Sequence, residues 1–161
     1  MSKRKLLFLF PMKEYFKDFG NVAAQKFLIN TMNERIDSEY RRKGFEINFL
    51  VFQTYADKVS EVECLKTVES DRIISTRPLD SPAAEQYRKV PQYPKICEQL
   101  GEMDELVICG FHKDDCVRKV EQYFKSLGIN TSVDIELTDA LLDIKVTKDF
   151  TIKDFNERLK H

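Results

Sequence analysis

Leu106-Val-Ile-Cys-Gly110-Phe-His-Lys-Asp-Asp-Cys116-Val117 runs from an apolar strand, through one glycine, into a cysteine at the head of a helix. Val117, Val120, Phe124 and Leu127 recur at helical spacing and Gly128 supplies the stop, which predicts a helix with Asp115 as its N-cap. A thiol in the first turn of a helix meets unpaired amides and the positive end of the helix dipole, the setting in which α/β proteins make a nucleophilic thiolate. Cys116 is therefore the leading candidate for chemistry, set against the plainer reading of a small buried apolar residue.

Outward from this segment, apolar runs bounded by glycine or polar residues alternate with longer helical patterns. That alternation is the mark of βαβ units and a largely parallel sheet. Lys5–Phe10 is a continuous apolar run ended by Pro11, read as a central strand buried on both faces. A helix from about Val22 to Lys43 follows, with Ala24, Leu28, Met32 and Ile36 on one face and Gly44 at its end, and Phe45–Phe52 is the second strand. Thr54–Ser70 reads as a loop with a short helix carrying Val62, Leu65 and Val68. Arg72–Thr76 is a third strand, running into a rigid loop made by Pro78 and Pro82. Lys95–Leu100 is a short helix, Leu106–Cys109 the fourth strand and Thr131–Leu137 the fifth. The expected architecture is a three-layer α/β/α sandwich around a mainly parallel sheet of about five strands, whose ligands bind beyond the C-terminal ends of the strands. Residues 1–145 form one such domain. Residues 146–161, with Ile152, Phe155 and Leu159 on one side, suggest a segment that docks on its own domain or joins a homo-oligomer.

At 161 residues the chain is long enough to bury a core without disulfides or metal. Lys+Arg 26 against Asp+Glu 27 gives a formal charge of -1, so there is no electrostatic case for nucleic acid or an anionic membrane. Ser2–Lys5 reads as a solvated start and Arg41–Lys43 as favourable charge at a helix end. The apolar run after Met1 is too short for a signal peptide or a membrane span, and a cytoplasmic protein is expected. Cys64, Cys97, Cys109 and Cys116 lack metal-ligand spacing, and His112 and His161 are the only histidines, so no metal and no cofactor are expected. Asp134, Asp139 and Asp143 fall at different points of a strand and its exit, which argues against a shared ion. A nucleotide is disfavoured, since no glycine-rich phosphate loop occurs among only five glycines.

In order and spacing these segments resemble the isochorismatase-like family of cysteine hydrolases, which includes nicotinamidases. Leu106–Gly110, the Cys116-Val117 pair six residues after the glycine, Gly128, and a strand closing on Thr138-Asp139-Ala140 carry the better part of the resemblance. Leu6–Phe10 followed by Pro11-Met12-Lys-Glu-Tyr15-Phe16 is similar to the family's opening strand and its Asp-Met-Gln-x-x-Phe motif. The resemblance implies a cysteine nucleophile at Cys116, an aspartate base and a lysine that stabilises negative charge. Pro11 stands where the aspartate belongs, and Arg77 is the nearest match to the lysine; it keeps the charge but cannot shuttle a proton. His112 is the one histidine placed to replace the base. The metal of nicotinamidases needs Asp-x-His after the second strand, where this chain has only Asp57. The implied function is an isochorismatase-like protein with an eroded triad that binds a small molecule or serves a structural role. The alternative is an active hydrolase of an amide C–N bond using Cys116, Arg77 and His112. Pro11, Tyr15, Phe16 and Phe111 are the expected ligand-lining residues, with Arg77 beside them.

Overall fold

The structure, a computed structural model, describes residues 2–17, 22–53, 59–76 and 92–141. Arg77, Asp57, Asp143 and the segment 146–161 lie outside the described residues. Five strands, β1 (Arg4–Leu9), β2 (Glu46–Phe52), β3 (Arg72–Thr76), β4 (Glu105–Gly110) and β5 (Asn130–Thr138), pair in the order β3-β2-β1-β4-β5, every pair parallel. The register sets Leu9 beside Leu50 on one side and Gly110 on the other. The first strand is therefore central, and the chain reverses its direction of travel across the sheet between β1 and β4.

Alternation along the strands divides the interior into two cores. Leu6, Phe8, Ile47, Phe49, Val107 and Cys109 face a layer built by α2 (Val22–Arg35), whose Leu28 and Met32 are fully buried. Leu7, Leu9, Leu50, Leu106 and Ile108 face α3 (Tyr93–Leu100) and α4 (Arg118–Ser126), through Ile96, Leu100, Val120 and Phe124. The three inner strands, β1, β2 and β4, are buried along almost their whole length because both faces are covered, whereas the edge strands β3 and β5 keep exposed positions. A further short helix, α1 (Lys13–Lys17), follows β1.

Several local expectations are corrected. The helix from Val22 does not stay α-helical to Lys43: it ends at Arg35 and continues as a wider π-turn over Ile36–Arg41. No helix forms over 59–70; its apolar residues serve as anchors, Leu65 buried and Val62 packed against the α2-side core. Lys5 is not part of a solvated start. Its ammonium is buried, donates to the Leu100 carbonyl and lies 3.4 Å from Glu46, which places a cation at the C-terminal end of α3. Arg41 is likewise enclosed, 2.5 Å from both Asp37 and Asp71. Leu127 lies past the end of α4 and is 50% exposed, so it does not join the buried face.

The edge strand β3 is held by a side chain. The Gln99 amide accepts from the Ser75 N–H at 3.0 Å and donates to the Ser75 carbonyl at 2.7 Å, standing in for one residue of a neighbouring strand. Gln99→Ala is expected to lower stability by about 1–2 kcal/mol, the range for losing two modest hydrogen bonds at a half-buried site. Urea unfolding followed by circular dichroism measures it.

Candidate functional site

In an open parallel sheet the crevice for ligands lies beyond the carboxyl ends of the strands where the strand order reverses. Here that point is the pair of turns after β1 and β4, and the residues singled out from the sequence gather there: Pro11, Tyr15 and Phe16 after β1, Phe111, His112 and Cys116 after β4.

The turn after β1 is built around aromatic burial. Phe10 takes a left-handed φ of 60° and is 1% exposed, its ring stacked on Phe52 at 4.4 Å with planes 8° apart. Left-handed backbone is unfavourable for a residue with a Cβ, so the buried stack holds it in place. Pro11 follows in a three-residue turn closed by the Met12 N–H on the Phe10 carbonyl at 2.7 Å, a shape that suits the fixed φ of proline. The Pro11 carbonyl accepts the Glu63 N–H at 2.8 Å, and the Lys13 N–H donates to the Glu63 carboxylate at 3.3 Å. The loop after β2 is thereby fastened over this turn.

The turn after β4 carries the thiol. Gly110 has φ +103°, and Phe111, 1% exposed, sends its N–H to the Leu9 carbonyl at 3.1 Å. His112 precedes a π-turn over Lys113–Val117, closed by the Val117 N–H on the His112 carbonyl at 3.1 Å. The expectation that Asp115 caps the helix is corrected here. The helical turn starts before it, Asp115 lies inside the turn paired with Lys119 at 2.6 Å, and Asp139 from the end of β5 accepts the Lys113 N–H at 2.8 Å. Cys116 is thus the fourth residue of the turn rather than its first, which weakens the pull of the helix dipole on its sulfur. The thiol is half-buried against the α3–α4 core, where Tyr93 and Tyr123 stack at 5.3 Å. None of the four cysteines is disulfide-bonded.

Between the two turns the rings singled out from the sequence pack on one another, joined by Phe10, which sequence reasoning did not single out. Tyr15 lies 6.0 Å from Phe10, is stacked 5.8 Å from Phe111, and meets the His112 ring at a near-right angle at 5.2 Å. Phe16 meets Phe111 edge-to-face at 4.8 Å. Pro11, Phe16 and Phe111 are buried, while Tyr15 and His112 are half-buried. Among the described residues no group of three or more His, Cys, Asp or Glu side chains could hold a metal ion.

No family model matches the sequence, and no curated protein matches it either. Solved structures do match the fold. An isochorismatase from Pseudomonas putida aligns with a TM-score of 0.57 at 16% identity over 84% of this chain and 70% of its own. An N-carbamoylsarcosine amidase from Thermoplasma acidophilum aligns with a TM-score of 0.57 at 13% identity over 91% and 92%. An isochorismatase family protein from Desulfovibrio vulgaris aligns over the full length of both chains, TM-score 0.57, 10% identity. The fold is isochorismatase-like. At these identities the likeness covers the backbone and says nothing of retained chemistry, so the isochorismatase-like strand ends must be judged on their own residues.

A buried polar cluster of this isochorismatase-like domain lies on the α2 face. Asp134 accepts from the Tyr40 hydroxyl at 2.5 Å and the Arg35 guanidinium at 2.8 Å, with Glu136 taking a second Arg35 nitrogen at 2.8 Å. Asp134 is thus an ion-pair anchor between α2 and β5. Burial, then the neighbouring Asp134 carboxylate, push the Tyr40 phenol far above its ordinary 10, and the same two causes push the Cys109 thiol well above 9. Raised folded-state values mean that the unfolded chain releases these protons first as pH rises. Their contribution to stability is therefore complete below about pH 9 and is lost above it, at up to about 1.4 kcal/mol per pH unit for each group. Tyr40→Phe is expected to flatten the decline above pH 10, measured as urea midpoints across pH.

Proposed function

We propose that this chain is an isochorismatase-like protein with an eroded hydrolytic triad, acting through a small-molecule ligand held at the strand ends or through a structural role, and not as a hydrolase. The observation that carries this reading is Pro11. It has no titratable group, its carbonyl is committed to Glu63, and its turn is fixed by the buried Phe10–Phe52 stack. A cysteine hydrolase needs a base to take the thiol proton and return it to the leaving group. Among the described residues, the carboxylates of this turn have other partners: Asp115 pairs with Lys119, Asp139 accepts the Lys113 N–H, and Asp114, its side chain 93% exposed, lies 3.9 Å from the Lys113 ammonium.

Amides and carbamoyl compounds are the informative panel, since one structural neighbour is an N-carbamoylsarcosine amidase. Wild type is expected to hydrolyse none of them above the rate of Cys116→Ser, and calorimetry on the same panel reads binding independently of turnover. Wild-type hydrolysis abolished in Cys116→Ser would overturn the proposal in favour of a rewired constellation of Cys116, Arg77 and His112.

A further inference from the structure

The outer edge of β3 is closed by a side chain rather than by a strand. Thr76 turns its carbonyl toward the β2 side, where it accepts the Gln53 N–H at 2.9 Å, so alternation points the peptide groups of Ile73 and Ser75 the other way, out of the sheet. Peptide groups facing outward from an edge strand are a template for a further strand. At Ser75 that template is filled. The Gln99 amide accepts the Ser75 N–H at 3.0 Å and donates to the Ser75 carbonyl at 2.7 Å, the pair of bonds that a residue of an added strand would make. Gln99 is itself held in place. Its amide also donates to the Lys95 carbonyl at 2.9 Å, its backbone carbonyl accepts from Arg72 at 2.7 Å, and Ile96 and Leu100 fix α3 in the core on either side. Ile73, two residues back along the same edge, is 52% exposed.

The pattern of the edge defines what it would pair with. Two copies of β3 running antiparallel about a two-fold axis at Ile74 set Ile73 of each copy opposite Ser75 of the other, and Arg72 opposite Thr76. The outward-facing residues then meet as hydrogen-bonded pairs, and no like charges are opposed. The edge is self-complementary, and the groups it needs at Ser75 are those that Gln99 occupies.

We propose that Gln99 is a strand mimic that keeps two copies of this chain from joining edge to edge through β3. In wild type the edge is open only while the amide is away from Ser75, and association by this route is reduced by that fraction.

Sedimentation equilibrium of the full chain tests this from about 10 μM to 1 mM, the range suited to an interface this small. Gln99→Ala is expected to associate one two-fold step beyond wild type, with a dissociation constant for that step at least about tenfold lower, the factor that two modest hydrogen bonds supply. Adding Ile73→Pro, which removes an outward N–H and none that faces β2, should return Gln99→Ala to the wild-type state. Should that protein not fold, Ile73→Lys sets a charge on the edge and is scored in the same way. The register is read by mixing Gln99→Ala proteins that carry Ile73→Cys or Ser75→Cys: opposed Cα atoms about 5.5 Å apart lie within disulfide reach, so a cross-link between residues 73 and 75 of different chains is expected by peptide mapping. No added association in Gln99→Ala, association that persists with the Ile73 substitution, or absence of the 73–75 cross-link would overturn the proposal.

Discussion

Gly110→Ala is expected to leave no cooperatively folded protein. A Cβ at residue 110 would lie 2.3 Å from the Leu9 carbonyl oxygen, 2.5 Å from the Leu9 nitrogen and 2.9 Å from its carbonyl carbon, and the φ of +103° is one that side chains rarely adopt. All three atoms are backbone of the central strand, paired with Gly110 in register, so neither side can yield without parting β1 from β4. A loss above about 4 kcal/mol takes most of the stability of an ordinary domain. Circular dichroism and urea unfolding should show no sigmoidal transition, whereas alanine at Gly128, where no atom lies within 4 Å of the new Cβ, should retain one.

Asp134→Ala is expected to cost about 3 kcal/mol. It deprives the buried Tyr40 hydroxyl and the half-buried Arg35 guanidinium of a shared acceptor. Leaving such groups unpaired is worse than never having buried them. Arg35 keeps Glu136 and has water within reach, with 31% of its side chain exposed, which limits the loss. Tyr40→Phe should cost less, about 1 kcal/mol, and the double variant less than the sum, because the two share one bond. Urea midpoints for the four proteins decide this.

The sheet was legible because burial on two faces writes itself into sequence as unbroken apolar runs. Lys5–Phe10, Phe45–Phe52 and Leu106–Cys109 needed no further context, and Gly44, Gly101 and Gly128 marked the turns between elements. Local periodicity was less informative where tertiary contacts decide the backbone. Val62, Leu65 and Val68 are spaced like a helix face, yet the segment runs without a helix past α2 to the start of β3, with Glu63 binding Pro11, Leu65 anchoring the chain and the Lys66 N–H donating to Asn33. The π-turn at Ile36–Arg41 has no sequence signature, and it occurs where Tyr40 reaches Asp134 and Arg41 reaches Asp71. At the site, Cys116, His112, Pro11, Tyr15, Phe16 and Phe111 were all placed at one sheet end by motif order. What escaped was their use. A phenylalanine ending a strand gives no hint that it will turn left-handed to stack on Phe52, nor does local pattern show that Phe16 and Phe111 are buried in the α2-side core.

The isochorismatase-like fold at low identity separates backbone from chemistry, and the chemistry rests on whether the Cys116 sulfur ever carries an acyl group. Rapid-quench intact mass spectrometry of wild type mixed with unactivated amides and carbamoyl compounds reads this directly. Each protein is expected to keep its own unmodified mass at every time point, wild type and Cys116→Ser alike; a transient adduct mapped to Cys116 and absent from Cys116→Ser would contradict the account.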